Sequence, residues 1–217
     1  RHLIDTYIEA DEPRKISPFD DMPLLDLIVK TGIGNAIAAQ LGGLTGNKDA
    51  IAETIENNVR RTIIKEHLND PAYYESMSAL LDEIIAARKT KAIEYEQYLK
   101  RIAELVKKVD AGQAEDTPEP LRKSPALRAL YNNLKKTQGA PPEADRAAET
   151  QSEYQTANDA TLRLALKIDE AVRTVRPDAW RGVQTREQVI KRALYEVLRD
   201  EAEVERIFLI VKAQEEY

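Results

Sequence analysis

The stretch PAYYESMSALLDEIIAARKTKAIEYEQYLKRIAELVKKV, residues 71–109, decides the fold class. Asp70 followed by Pro71 is a strong helix start, because aspartate caps the first turn and proline suits the first helical position. After this start, side chains of one stripe recur in almost strictly alternating steps of four and three, with one repeat of four at Arg88, which is the spacing of one helix face. One continuous helix over this stretch would be roughly 55–60 Å long. The stripe consists of Met77, Leu81, Ile84, Arg88, Ala92, Tyr95, Leu99, Ile102, Val106 and Val109.

A rod of that length needs a partner, because it cannot bury its whole stripe within a small globule. We expect an antiparallel partner helix, and residues 144–175 are the predicted one, since their later half is rich in leucine, isoleucine and valine. The alternating pattern LRLALKI at residues 162–168 leaves a β-strand as the minority alternative. The sequence therefore predicts an all-α helical bundle with one very long antiparallel helix pair.

Composition narrows the possible function classes. Of 217 residues, 32% are charged and 6% aromatic, which favours long helices with solvated faces. The net charge of −6 argues against a free-standing binder of duplex DNA, which would need cations to neutralise phosphates. The lack of cysteine excludes disulfides and thiolate metal sites and fits a reducing cytoplasm. No apolar run approaches the ~20 residues of a membrane span, so no membrane partner is expected.

The chain divides into two predicted parts. Residues 1–46 are predicted to be a linker-like helical segment, in which two short helices meet at Gly32 and Gly34. Residues 47–217 are predicted to be a helical domain, and one continuous domain over residues 1–217 is the alternative. Because the chain begins at Arg1 without an initiator methionine, we expect a fragment of a longer protein or a processed chain.

Two stretches resemble nucleotide-binding motifs but lack residues that those motifs require. TGIGNAIAAQLGGLTGNK at residues 31–48 is rich in glycine, but Asn47 stands where the lysine of a phosphate-binding loop belongs. LALKIDEAV at residues 164–172 resembles an acidic Mg²⁺-binding strand, which is useful only beside such a loop. The two histidines lack metal-ligand spacing. We therefore predict no catalytic, cofactor-binding or metal-binding residues in this chain.

A basic cluster is a candidate phosphate contact. Arg60, Arg61 and Lys65 lie within two turns of one predicted helix, and cations in such an arrangement can meet the phosphates of DNA. Pairing with neighbouring glutamates on a solvated helix face is the commoner explanation.

The segment RPDAWRGVQ, residues 176–184, and the run Ile207–Val211 are candidate partner contacts. The lone Trp180 either anchors its loop on the bundle or serves as an interface hot spot, because tryptophan is enriched in both roles. Together with Arg181 and Phe208, it forms the predicted partner surface.

Several stretches resemble the C-terminal part of the restriction (R) subunit of type I restriction-modification enzymes. The resemblance covers nearly the whole chain apart from residues 110–160. It depends on overall sequence similarity, because no single motif in it is a catalytic signature. The stretches are HLIDTYIEADEPRKISPFDDMPLLDLIVKTG (2–32), AETIENNVRRTIIKEHLNDPAYYESMSALLDEII (52–85), KAIEYEQYLKRIAELVKK (91–108), RPDAWRGV (176–183) and AEVERIFLIVKAQEEY (202–217).

This resemblance implies the helical end of a cytoplasmic, ATP-dependent type I site-specific deoxyribonuclease. Its nuclease and helicase lobes, with their ATP and Mg²⁺ sites, would lie upstream of Arg1. The helical part would dock onto the modification (methyltransferase) subunit and would meet DNA only through the parent complex. A DNA-contact module on the translocation path is the alternative function. A third hypothesis is that the fragment itself hydrolyses ATP and needs Asp169 to do so.

Overall fold

The computed structural model describes residues 23–44, 46–113, 117, 119–137 and 151–217, without the side chains of 151–159. These residues form ten α-helices and one 3₁₀ turn, Gly42–Leu44, and contain no strand, so the all-α prediction is confirmed. No helix among them is long and apolar enough to cross a membrane. The helices are α1 (Leu24–Thr31), α2 (Ile33–Gln40), α3 (Lys48–Glu66), α4 (Pro71–Lys89), α5 (Tyr95–Ala111), α6 (Glu119–Arg122), α7 (Pro125–Thr137), α8 (Gln151–Val175), α9 (Gln184–Leu198) and α10 (Glu201–Ala213).

Two compact units make up the chain, and they divide between Asn58 and Val59. In the first unit α1 ends at Gly32, whose φ of +87° belongs to the left-handed region that favours glycine. The two short helices predicted around the glycines are thus confirmed as α1 and α2. The predicted boundary between residues 46 and 47 lies just before α3 and stays a prediction, and residues 1–22 of the predicted linker lie outside the described residues.

The predicted continuous rod over residues 71–109 is wrong, because the structure breaks it into α4 and α5. Lys91 adopts a φ of +56° and reverses the chain. Its N–H donates to the Arg88 carbonyl at 3.0 Å, and the Ala92 N–H donates to the Ala87 carbonyl at 2.9 Å. This pair of bonds is the Schellman motif, which ends helices by satisfying their last carbonyls. Lys91 occupies the position where glycine is usual, so the sequence carries no local signal that α4 ends here.

The two halves of the expected rod pack on each other as an antiparallel hairpin. The Tyr73 hydroxyl at the start of α4 donates to the Lys108 carbonyl near the end of α5 at 2.7 Å. The Arg88 guanidinium at the other end lies 5.6 Å from the centre of the Tyr98 ring. Most of the predicted stripe is buried in this hairpin, although Tyr98 takes the central place expected of Leu99. The buried stripe members are Met77, Leu81, Ile84, Ile102, Val106 and Val109.

The predicted partner helix has other neighbours. Over its described range, α8 packs mainly on α7 and α9, so the predicted long antiparallel pair with residues 71–109 is not shown. Residues 144–150 of the predicted partner lie outside the described residues. The strand alternative at residues 162–168 is wrong, since α8 is helical throughout. The core of this part gathers residues from α7 to α10, including Leu130, Ala165, Ile168, Val172, Trp180, Ile190, Leu194, Ile207 and Phe208.

Candidate functional site

A surface groove lies where α10 passes the end of α3, the start of α4 and the end of α7. Its volume is about 650 Å³, and every residue that lines it belongs to the second compact unit. We call it the α10 groove. Its lining residues are His67, Leu68, Pro71, Glu75, Asn133, Lys136, Thr137, Arg206, Leu209, Ile210, Lys212 and Ala213.

Two large exposed leucines, Leu68 and Leu209, line the α10 groove, and we call them its apolar floor. Leu68 is 73% exposed and Leu209 is 66% exposed. Ile64, one helical turn before Leu68, is 67% exposed. Leu209 lies outward because five consecutive apolar residues cannot share one face of a helix, and its neighbours Ile207, Phe208, Ile210 and Val211 take the inner side of α10.

Three ion pairs surround this apolar floor. Lys136 of α7 pairs with Glu75 of α4. The Arg206 guanidinium donates to both carboxylate oxygens of Glu203, at 3.1 Å and 2.6 Å. Lys212 lies 2.7 Å from Glu187 of α9. An apolar centre with a charged rim is the usual anatomy of a protein interface.

Lys212 also changes the acidity of its partner. The hydrogen bond from Lys212 holds the pKa of the Glu187 carboxyl below its ordinary value, and the Gly182 N–H adds a second bond. The Glu187 carboxylate thereby connects the start of α9 to both the loop that carries Trp180 and α10.

A buried carboxyl behind the groove fixes its walls. Asp70 accepts hydrogen bonds from the Tyr73 N–H at 3.2 Å, which confirms it as the cap of α4. It also accepts from the side-chain amides of Asn132 and Asn133 on α7, at 2.7 Å and 2.9 Å. Burial raises the pKa of Asp70 to about 6, although these bonds act in the opposite direction. One carboxyl thus connects α4 to α7.

Two of the three predicted partner residues, Trp180 and Phe208, lie in the core, whereas Arg181 is exposed. Trp180 is 2% and Phe208 is 3% exposed, with their ring centres 5.9 Å apart. The indole N–H donates to the Tyr217 carbonyl at 3.3 Å. This burial favours the anchor alternative for Trp180, and the partner contact stays a prediction.

Arg181 takes part in the same anchorage. Its guanidinium lies 4.6 Å from the Trp180 ring centre and donates to the carbonyls of Lys212, at 3.0 Å, and Gln214. The last carbonyls of α10 thereby gain a cationic donor, which is favourable at a helix C-terminus.

The predicted phosphate contacts lie on α3 and do not line the α10 groove. Arg60 donates to Asp82 of α4 at 2.6 Å, which fits the pairing explanation. Arg61 is exposed, and Lys65, whose side chain is 81% exposed, lies 3.7 Å from the Glu66 carboxylate. Arg61 and Lys65 are one turn apart, so they share a face of α3.

Sequence reasoning missed Leu68, and it included Leu209 only as one member of the run Ile207–Val211. One usable signal was the length of the run at residues 207–211, since a helix buries only part of such a run. Nothing in the sequence indicated that Leu68 would lie near Leu209, because the two residues are far apart in the chain.

The acidic residue considered for ATP hydrolysis has a structural partner. Asp169 accepts from the Tyr217 hydroxyl at 2.6 Å and pairs with Arg173 at 2.9 Å. Within the described ranges, no group of three histidine or carboxylate side chains could hold a metal ion.

Comparisons with protein-family models, curated proteins and solved structures find no match for the chain.

Proposed function

We propose that this chain is a cytoplasmic assembly domain, the helical C-terminal part of a type I restriction R subunit. In this proposal it docks the ATP-dependent motor-nuclease onto the modification (methyltransferase) subunit and meets DNA through the parent complex. ATP and Mg²⁺ would be used by the domains upstream of Arg1. The resemblance of five stretches supports the parentage, and the α10 groove supports the docking role.

The observation that carries the docking role is the joint exposure of Leu68 and Leu209, 73% and 66%, in one groove. Fully burying an exposed leucine side chain contributes about 1.5–3 kcal/mol, so a partner that covers both leucines gains a favourable contribution to the free energy of binding from each. Clustered exposed apolar side chains with a polar rim mark interaction sites on protein surfaces. The Asp70 bonds hold two walls in place beforehand, which lowers the entropy lost on binding.

Titration against the purified modification subunit tests this function. We expect the wild-type chain to bind at micromolar concentration or better, and Leu68→Asp and Leu209→Asp each to weaken binding by about 10- to 100-fold. Leu166→Asp is the matched control, because Leu166 is 41% exposed on α8 and does not line the groove. Failure of the wild-type chain to associate would refute the docking role.

The exposed cations of α3 favour DNA contact as the second candidate function. Arg61 and Lys65 share one face and could contact successive phosphates of a backbone. The wild-type chain would then bind duplex DNA with an affinity that falls steeply as salt is added. Arg61→Glu with Lys65→Glu should remove that binding. A wild-type chain that does not bind duplex DNA at low salt would eliminate this function.

A further inference from the structure

Among the residues that line the α10 groove, cations outnumber carboxylates. The chain has a net charge of −6, yet the wall carries three cations, Lys136, Arg206 and Lys212, and the single carboxylate Glu75. The carboxylates that pair with Arg206 and Lys212 do not line the groove. An occupant would therefore contact more cationic than carboxylate groups of the lining, and each of these cations already has one carboxylate partner.

The two lysines can accept a further carboxylate while they keep their present partners. A lysine ammonium carries three hydrogen-bond donors. Lys136 bonds to Glu75, and Lys212 bonds to Glu187. These pairs hold both ammonium groups at the rim, so an arriving acidic side chain meets cations that are already positioned.

The shape of the groove selects the backbone of its occupant. Its walls are helices, and the part of the chain that the structure describes offers no strand edge to which an extended peptide could add. An α-helix needs no such edge, because it satisfies its own backbone hydrogen bonds. A helix also presents apolar side chains at positions i, i+3, i+4 and i+7 on one face, which suits a groove with an apolar floor.

Building on the docking function proposed above, we infer that the α10 groove receives an acidic amphipathic helix of the modification subunit. Apolar side chains of that helix cover Leu68 and Leu209. Aspartate or glutamate side chains on its flanks contact Lys136 and Lys212. The leucines supply most of the affinity, and the lysines select acidic helices over basic ones.

Two synthetic helices of equal length test the charge preference. Both carry leucine at the i, i+3, i+4 and i+7 positions, and their flanking residues are glutamate in one and lysine in the other. We expect the intact chain at low salt to bind the glutamate helix at least about 10-fold more tightly, from two favourable pairs and the repulsion avoided. Added salt should reduce the difference, because exposed charges are screened.

Charge variants of the chain identify the residues responsible. Lys136→Glu with Lys212→Glu should reverse the preference. Lys136→Gln with Lys212→Gln should abolish the preference without creating new repulsions beside Glu75 and Glu187. Lys100→Glu with Lys107→Glu is the control, since both residues are exposed on α5 and change the net charge equally. Equal binding of both helices to the wild-type chain, or a preference that survives the glutamine variant, overturns the inference.

The modification subunit separates this inference from the function on which it rests. If the subunit binds and Leu209→Asp weakens it, but the glutamine variant and added salt change nothing, docking stands and the acidic helix is refuted. If the subunit does not bind the wild-type chain, the docking function itself fails. Binding strengthened by Lys136→Glu with Lys212→Glu would indicate a basic occupant and would also overturn the inference.

Discussion

Replacing Lys91 by glycine should stabilise the protein. Lys91 has a φ of +56° at the end of α4, and the left-handed conformation costs an L-residue about 1–2 kcal/mol. Glycine avoids that strain but loses more backbone entropy on folding, about 0.5–1 kcal/mol. The Lys91 side chain is exposed, and the hydrogen bonds that end the helix are made by backbone atoms. The net gain in the free energy of unfolding is therefore about 0.5–1 kcal/mol.

The sign of this effect separates the two possible structures of residues 71–109. If the segment were one rod, Lys91 would lie in a helix interior, and glycine there would cost about 1 kcal/mol. The hairpin and the rod thus predict opposite shifts.

Urea unfolding, followed by circular dichroism at 222 nm, measures the shift through the midpoint concentration. Lys89→Gly is the matched control, because Lys89 is an exposed lysine two residues earlier and is the last helical residue of α4. We expect this control to lose stability, by up to about 1 kcal/mol. If both variants lost stability equally, the chain reversal at Lys91 would be refuted.

Three further predictions concern buried groups. The pKa of Asp70 is about 6 in the folded protein, against an ordinary value of 3.8. The folded state therefore holds the proton more tightly, and this stabilises the protein fully below pH 3.8. The stabilisation, about 3 kcal/mol in total, is lost as pH rises through about 6. The urea midpoint of the wild type minus that of Asp70→Asn should therefore fall between pH 4 and pH 7, and a flat difference would contradict the raised pKa. Ile84→Asp should destabilise by several kcal/mol, of the order of 3–5, because Ile84 is 2% exposed in the hairpin. An unchanged melting temperature would refute that burial. Trp180→Ala should cost about 3–5 kcal/mol through the cavity left beside Phe208, and a loss below about 1 kcal/mol in urea unfolding would mean that the indole is not an anchor.

The helix starts and several breaks could be predicted because their causes lie within a few residues. Asp70 caps α4 and Gly32 separates α1 from α2, as expected, and the Asn47 side chain accepts from the Ala50 N–H at 3.0 Å in the same way. Each depends on one side chain or one backbone angle and on hydrogen bonds to residues three or four positions away. The burial of most of the 71–109 stripe also followed from its spacing.

The break at Lys91 could not be predicted from local rules. Lysine favours a helix interior and disfavours a positive φ, so packing of α4 on α5 must offset the strain. The stripe spacing is the same in a rod and in two shorter helices, because it reports which face is buried but not what covers it.

The amino-acid sequence alone determined that this protein is helical, where most of its helices begin, and which of their faces turn inward. Only the tertiary structure decided that α4 folds back on α5, that Trp180 belongs to the core, and that Leu68 and Leu209 line one groove with Lys136, Arg206 and Lys212. The physical reason is one of range. Helix caps and hydrophobic periodicity act over a few residues, whereas a groove arises where elements distant in the chain pack together and leave side chains uncovered.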